Sequence, residues 1–301
     1  MKKKPKIIAI AGPSATGKTE LAVKTAKEFN GEIISADSRY VYKYLDIASA
    51  KPTEEEKCGI PHYLTDIAEV DTDYSAGQFL KDADFFIKDI TSRGKIPIVT
   101  GGTGLYFRSL NGVFDIPEVP ADKDFRQKAE TIPTEELYSE LLSKNPAMAA
   151  KIHPNNKVKI VRALEITNAG AKLTSKECPY DILMLGLNCE NRQFLYEKCE
   201  KRVDKMLEAG LLQEADFLFK KYGFENNILN NTIGIKELKE VLQNSQPLDE
   251  AISEIKKNTR HYIKRQISWF NTEKDLKWFY IDTNKNFQSD IFETIKEFLK
   301  N

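Results

Sequence analysis

Short apolar runs alternate with amphipathic segments in the N-terminal part of this chain. Lys6–Ala11 is almost continuously apolar and rich in isoleucine, a pattern typical of a strand buried on both faces of a parallel sheet. The other elements predicted in this way are strands at Glu32–Ala36 and Ile96–Thr100 and helices at Thr19–Phe29 and Ser75–Arg93. Strands and helices that alternate at this spacing predict an α/β fold with a parallel sheet.

A long middle segment has the pattern of proline-interrupted helices and contains no strand-like run. A buried strand returns at Asp181–Leu187. The remainder is mostly helical, with long helices predicted at Asn191–Ala209 and Leu248–Phe270. We therefore expect a core domain formed by residues 1–114 and 181–301, and a helical insertion at residues 115–180.

The composition is that of a globular protein, with 41% hydrophobic and 30% charged residues in a chain of 301. No apolar run approaches the ~20 residues that span a bilayer, and Ile7–Ala11 is too short for the core of a signal peptide. The four cysteines lack the C-x-x-C spacing of a zinc site or redox pair. We expect a cytoplasmic protein with free thiols and no membrane segment.

Charge is distributed unevenly, although the formal net charge is zero. Thr53–Ile90 contains ten acidic and three basic residues, whereas Lys144–Lys176 contains seven basic residues and a single acid, Glu165. A second basic group has no acid between its ends and consists of Lys256, Lys257, Arg260, Lys264 and Arg265. Positive charge clustered in this way can bind nucleic acid even where the total charge cancels.

The turn after the first predicted strand matches the phosphate-binding pattern G-x-x-x-x-G-K-[ST]. Its residues are Gly12, Pro13, Ser14, Ala15, Thr16, Gly17, Lys18 and Thr19. The glycines let main-chain N–H groups converge on an anion, Lys18 reaches terminal phosphates, and the Thr19 hydroxyl can ligate Mg²⁺. The motif predicts a P-loop NTPase-like sheet and a phosphate-bearing ligand, without specifying ATP. A hydrolase would place a Walker-B aspartate after a later strand, whereas Ile96–Thr100 is followed by Gly-Gly-Thr.

Two further side chains follow predicted strands at the sheet edge that lines the ligand crevice. Asp37 follows the second strand, where a carboxylate can bind Mg²⁺ through water or accept a proton from an attacking amine or hydroxyl. The alternative is that Asp37 caps the next helix. Thr103 lies in Gly101–Gly104, where glycines permit close approach and its hydroxyl can donate and accept. This segment can also be a plain strand-to-helix turn.

Together, these features resemble the tRNA dimethylallyltransferase family, also called tRNA isopentenyltransferases. Eight segments carry the resemblance in order: GPSATGKT (12–19), ADSRYVYKYLDIASAKPT (36–53), PHYLTDI (61–67), YSAGQF (74–79), GGTGLYF (101–107), IHPNNKVKIVRALEI (152–166), TIGIKE (232–237) and TRHYIKRQISWF (259–270). The resemblance covers nearly the whole chain and is far more specific than the P-loop alone.

The resemblance implies transfer of a dimethylallyl group from dimethylallyl diphosphate to N6 of the adenosine 3′-adjacent to the anticodon, releasing diphosphate. The P-loop would hold the donor's diphosphate, and Lys18 with Mg²⁺ on Thr19 would neutralise the leaving group. Asp37 matches the family's general base, and Thr103 matches the threonine that hydrogen-bonds the adenine. Arg260 is expected nearer the diphosphate than the tRNA.

An adenine in an anticodon loop must be flipped out of its stack to reach a buried P-loop, which costs a few kcal/mol. Contacts that offset this cost are expected from Lys151–Arg162 and from Lys256, Arg260 and Lys264, which share one helix face. A solvated face is the alternative for that helix. By the resemblance, a monomer binds the anticodon stem-loop through Asp37, Ser38, Arg39, Tyr40, Thr103, Arg126, Val158, Lys159, Ile160, Val161, Arg162, Asn231, Thr232, Ile233, Gly234, Ile235 and Lys236.

The chain departs from the family pattern at three positions: Asn231 replaces an Arg or Gln, Ile235 replaces a Tyr, and Asn271 replaces an Arg. Three other functions remain open on the sequence. They are a prenyltransferase acting on free adenine nucleotides, a small-molecule or nucleoside kinase in which Asp37 activates a hydroxyl, and a non-catalytic RNA-binding switch.

Overall fold

The computed structural model describes residues 4–112, 117, 119–171 and 177–300. The chain divides into two compact units, one formed by Met1–Asn111 and Cys178–Asn301 and the other by Gly112–Glu177. The predicted boundary between residues 114 and 115 lies outside the described residues, as do Lys172 and Lys176 of the basic segment.

A six-stranded parallel sheet forms the centre of the first unit, with strand order β3-β2-β4-β1-β5-β6. The strands are β1 (Lys6–Ala11), β2 (Gly31–Ser35), β3 (His62–Tyr63), β4 (Ile96–Gly101), β5 (Asp181–Asn188) and β6 (Leu276–Tyr280). Successive side chains of β1 enter different hydrophobic clusters, Ile7 and Ala9 on one face and Ile8 and Ile10 on the other. The predicted α/β fold with a parallel sheet is therefore confirmed.

The sequence pattern did not indicate the two edge strands. β3 is only two residues long, and in β6 only Leu276 is buried. Because an edge strand with partly exposed side chains lacks the continuous apolar run of a central parallel strand, the prediction that this part is mostly helical did not include the strand Leu276–Tyr280.

Helices cover the sheet and form most of the remaining chain. They are α1 (Lys18–Glu28), α2 (Glu54–Lys57), α3 (Ala76–Ser92), α4 (Gly104–Leu110), α5 (Lys123–Thr131), α6 (Thr134–Lys144), α7 (Pro146–Ala149), α8 (Lys157–Asn168), α9 (Arg192–Glu208), α10 (Leu211–Tyr222), α11 (Asn227–Asn230), α12 (Lys239–Leu242), α13 (Leu248–Phe270) and α14 (Phe287–Lys300), with a 3₁₀ turn at Lys236–Leu238. α13 has the bounds predicted from its apolar spacing.

The second unit contains α5 to α8, and its described residues include no strand. Leu137, Leu141 and Ile160 are fully buried in its apolar core. Glu165 is buried beside that core, and its carboxylate accepts hydrogen bonds from two arginines at 2.7 Å and 2.8 Å, Arg126 and Arg162. This unit therefore has its own hydrophobic core and one buried ionic cluster. Within the described ranges of the chain, no helix has the length and apolarity needed to cross a bilayer.

Candidate active site

The predicted phosphate loop connects β1 to α1 and adopts the backbone conformations that its small residues allow. Gly12 and Gly17 have positive φ angles of 139° and 82°. A Cβ atom at Gly12 would lie 2.3 Å from the carbonyl oxygen of Leu187 on β5, so only glycine fits there. Gly17 is the N-cap of α1 and provides no side-chain cap, which leaves the first main-chain N–H groups of this helix available to an anion.

Lys18 lies in the loop as a buried cation. Its Nζ donates a hydrogen bond to the carbonyl of Pro13 at 2.6 Å, and the Thr16 hydroxyl donates to the same carbonyl at 2.9 Å. Burial and, after it, the nearby positive charge of Arg202 lower the pKa of Lys18 to about 8, against the opposing effects of Asp37 and Cys199. A buried ammonium group close to a second cation favours a multiply charged anion between them.

Arg202 is a site residue that sequence reasoning missed. It projects from α9, and its guanidinium donates to the carbonyls of Ser49 and Ala50, each at 3.5 Å. The hydroxyl of Tyr40 donates to the Ala50 carbonyl at 2.7 Å and lies close to Thr19 and Arg202. Nothing in the spacing of α9 singled out this arginine, because its proximity to the P-loop depends on how the chain folds after β5.

Asp37 lies directly beyond β2, at the same edge of the sheet as the phosphate loop. Its Oδ1 accepts the main-chain N–H of Arg39 at 2.9 Å, and the next helix, α2, is capped by Thr53. The carboxylate therefore closes a short turn and does not cap a helix. Burial raises the pKa values of Tyr40, Tyr106 and Tyr262, and the negative charge of Asp37 raises all three further. These three phenols and the Lys18 ammonium therefore lie within range of the Asp37 charge.

Thr103 joins the ends of β2 and β4. Its hydroxyl accepts the main-chain N–H of Ser38 at 3.0 Å, and its own N–H donates to the Ala36 carbonyl at 3.2 Å. Thr103 is the N-cap of α4 but its side chain makes no capping bond, so the hydroxyl acts across the sheet edge. A Cβ atom at Gly101 would lie 2.2 Å from the Ala36 carbonyl oxygen, which explains the glycine before this turn.

Gln266 is the second residue that sequence reasoning missed. It is 5% exposed and lies on α13, and its side-chain amide connects Ser14 of the phosphate loop to Gly102 beside Thr103. The sequence offered no signal for it, since a glutamine among basic residues on a predicted amphipathic helix is ordinary.

Similarity to known proteins agrees with this geometry. The family model "IPP transferase" matches residues 40–273, and the model "Isopentenyl transferase" matches residues 5–72. A tRNA dimethylallyltransferase of Caldanaerobacter subterraneus subsp. tengcongensis is 44% identical, with 97% of each chain covered. The crystal structure of a tRNA isopentenylpyrophosphate transferase from Bacillus halodurans is 38% identical with a TM-score of 0.76, covering 99% of this chain and 97% of that one. A eukaryotic dimethylallyltransferase whose structures show it acting on tRNA is 32% identical with a TM-score of 0.77, covering 92% of this chain and 74% of that one.

The chain belongs to the tRNA dimethylallyltransferase family.

The cations on the basic face of α13 have partners on the neighbouring helix α9. Arg260 forms an ion pair with Glu200 of α9, and Lys256 pairs with Asp204 of the same helix at 2.6 Å. Two of the three cations expected to share a clamp on that face are therefore already balanced by acids. Lys264 instead lies over the ring of Tyr196, 5.9 Å from its centroid.

The family segment at residues 231–236 contains both buried and exposed side chains. Thr232 and Ile235 are buried in the core, so their side chains are not available to a surface ligand. The exposed Asn231 side chain donates to Asn227, whereas its carbonyl accepts from Arg39 at 3.0 Å. The main-chain N–H of Gly234 donates to Glu237 at 2.7 Å. Ile233 and Lys236 are partly exposed.

The family segment at residues 158–162, in the second unit, divides in the same way. Val158 is 81% exposed and Lys159 is also exposed, whereas the side chains of Ile160 and Val161 fill the core of that unit. Arg162 donates to the carboxylate of Glu165 at 2.8 Å. Of this segment, Val158 and Lys159 therefore have the most accessible side chains.

Proposed function

We propose that this protein transfers a dimethylallyl group from dimethylallyl diphosphate to N6 of the adenosine 3′-adjacent to the anticodon in tRNA. The observation that carries the proposal is the proximity of Lys18, in an anion-binding loop, to Asp37, whose negative charge raises the pKa of Lys18 against the larger effect of burial. The reaction requires a binding site for the leaving diphosphate next to a base for the attacking amine. Lys18 can bind the diphosphate, and Asp37 can act as the base.

The reaction follows from the groups present. The N6 amine attacks C1 of the dimethylallyl group, the C1–O bond breaks, and diphosphate leaves with the electron pair. The proton from N6 passes to the Asp37 carboxylate. Lys18, Arg202 and the N–H groups at the start of α1 stabilise the negative charge that develops on diphosphate. Thr103 holds the turn that carries Asp37 and faces the adenine.

Magnesium fits this site as a companion of the diphosphate. The described part of the chain contains no group of three or more His, Cys, Asp or Glu side chains that could hold a metal by itself. A P-loop Mg²⁺ is bound mainly by substrate phosphates and water, with one protein hydroxyl, so Thr19 in the first turn of α1 is a sufficient protein ligand. The ion would supply Lewis-acid neutralisation of the leaving group.

The acceptor in this proposal is tRNA and not a free nucleotide. The support is the name of the relative that is 44% identical, together with a second unit whose α8 carries the exposed residues Val158 and Lys159 in its first turn. The proposal includes a monomer located in the cytoplasm. All four cysteines are unpaired, which suits a reducing compartment.

Three assays with labelled substrates test the function. Prenyl transfer from dimethylallyl diphosphate is measured to three kinds of acceptor. They are an anticodon stem-loop with adenosine 3′-adjacent to the anticodon, the same RNA with guanosine in that place, and AMP, ADP or ATP. We expect product with the first RNA alone. Transfer to free nucleotides would favour the nucleotide prenyltransferase, and transfer of the γ-phosphate of ATP to a small acceptor would favour the kinase. Nucleoside analysis of tRNA from cells lacking the gene should then show unmodified adenosine.

A further inference from the structure

Gln266 is a buried side chain that hydrogen-bonds both to the phosphate loop and to the turn that contains Gly102 and Thr103. Oε1 of Gln266 accepts hydrogen bonds from the main-chain N–H of Ser14 at 2.9 Å and from its hydroxyl at 3.2 Å. Nε2 of the same amide donates to the carbonyl of Gly102 at 3.0 Å. Ser14 belongs to the phosphate loop, where the prenyl diphosphate would bind. Gly102 precedes Thr103, which would face the adenine. A single planar amide therefore spans the boundary between the two half-sites.

Two neighbours lie close to this amide. A Cβ atom at Gly102 would lie 2.2 Å from Nε2 of Gln266. Tyr262 lies one turn earlier on α13, with its phenol close to the Gln266 amide. The phenol also lies close enough to Asp37 for that charge to raise its pKa, after burial as the larger cause. The amide thus contacts the phosphate loop and the Gly102 turn directly, and reaches the base through one tyrosine.

We propose that Gln266 is a positioning residue that couples the prenyl diphosphate site to the adenine site, so that filling either site tightens the other. The inference rests on the proposed function, because it concerns how those two substrates are held. An amide is rigid, so ordering Oε1 at Ser14 also orders Nε2 at Gly102. The ligand that binds first bears the entropic cost of this ordering, and the second ligand binds to a site that is already ordered. Linkage requires the effect to be equal in both directions.

Equilibrium titration of the full chain with two unreactive probes measures this coupling. One probe is inorganic diphosphate with Mg²⁺, which carries no transferable group, and the other is an anticodon stem-loop RNA. The Kd of diphosphate is measured by calorimetry with and without saturating RNA, and the ratio of the two values is the coupling. For the wild-type protein we expect RNA to tighten diphosphate binding at least about 5-fold, the lower end of usual couplings between sites.

Two substitutions should remove the coupling and one should not. Gln266→Met keeps the length of the side chain and removes both polar atoms. Gln266→Glu keeps the acceptor for Ser14 and replaces the donor to Gly102, and its added charge weakens diphosphate binding equally with and without RNA. Both should bring the ratio close to one. Thr259→Val is the matched control on α13, since the Thr259 hydroxyl donates to the Ile255 carbonyl within the same helix, and it should keep the wild-type ratio.

A wild-type ratio of one, or an undiminished ratio in a Gln266 variant, would overturn the coupling. Thermal unfolding shows whether each variant is folded, and if Gln266→Met is not, Gln266→Glu decides. Prenyl transfer to tRNA is assayed on the same wild-type preparation. Transfer accompanied by a ratio of one rejects the coupling alone, whereas a protein that transfers no prenyl group to tRNA rejects the proposed function and the coupling with it.

Discussion

The hydroxyl of Thr103 accepts the main-chain N–H of Ser38 at 3.0 Å and thereby fixes the residue that follows Asp37. Thr103→Val removes this acceptor with almost no change of shape, and we expect kcat to fall about 10-fold or more, because a misplaced base loses transition-state contacts. Thr103→Ser keeps the hydroxyl and should retain most of the activity. Steady-state kinetics with tRNA distinguish the two variants. Retained activity in Thr103→Val together with a loss in Thr103→Ser would show that the methyl group, and not the hydroxyl, matters.

Asp37 should affect the chemical step far more than binding. Asp37→Asn keeps the size of the side chain and its bond to the Arg39 N–H, but it cannot accept the proton from N6. We expect kcat to fall by ~10² to 10⁴ while the KM of each substrate stays within a few-fold. Single-turnover kinetics at saturating substrate measure the effect. A rise in KM with unchanged kcat would assign Asp37 to substrate binding instead.

The lowered pKa of Lys18 predicts how donor use depends on pH. The ammonium is charged below its pKa of about 8 and loses its charge as pH rises through that value, because burial favours the neutral amine. We therefore expect kcat/KM for dimethylallyl diphosphate to decline above pH ~8, a profile that reports the free enzyme. Lys18→Arg stays charged in this range and should be less active but lack the decline near pH 8. A wild-type midpoint near pH 10 would contradict the assignment.

Lys159 offers the sharper test of tRNA contact in the second unit. Its side chain is exposed, whereas Arg162 is held by Glu165 at 2.8 Å. Replacing a lysine that touches a phosphate releases one counterion fewer, so Lys159→Ala should weaken tRNA binding and reduce the slope of log K against log salt by ~0.7 to 0.9. Arg162→Ala should also reduce the slope if its guanidinium leaves Glu165 to bind phosphate. Fluorescence anisotropy between low and moderate salt measures both slopes, and unchanged slopes would exclude these residues from the contact.

The sequence was sufficient for the parts of the fold and site that depend on local pattern. β1 is almost continuously apolar, and this pattern predicted its burial on both faces in the middle of the sheet. The phosphate loop that follows β1 was predicted from its own motif. Arg202 and Gln266 could not be predicted, because each reaches the site from a helix far away in the chain. The acids that balance Lys256 and Arg260 come from α9, and periodicity within α13 carries no information about its neighbour.

A buried carboxylate at the other end of β2 predicts a stability effect separate from catalysis. Glu32 is 2% exposed, and hydrogen bonds from Arg93, with a further bond from Lys95, lower its pKa to about 2 against the opposing effect of burial. A depressed pKa stabilises the folded state above the unfolded value near 4.5, and this contribution is lost as pH falls through about 2. Glu32→Gln should therefore reduce the free energy of unfolding at pH 7 by about 2 kcal/mol, allowing for the partly solvated partners, with a smaller difference at pH 3.

Glu20→Gln, which removes an exposed ion pair with Lys24, is the control and should change the free energy of unfolding by about 0.5 kcal/mol or less. Urea denaturation at both pH values measures these differences, and a Glu32 effect that is the same at both would show that its charge does not stabilise the fold.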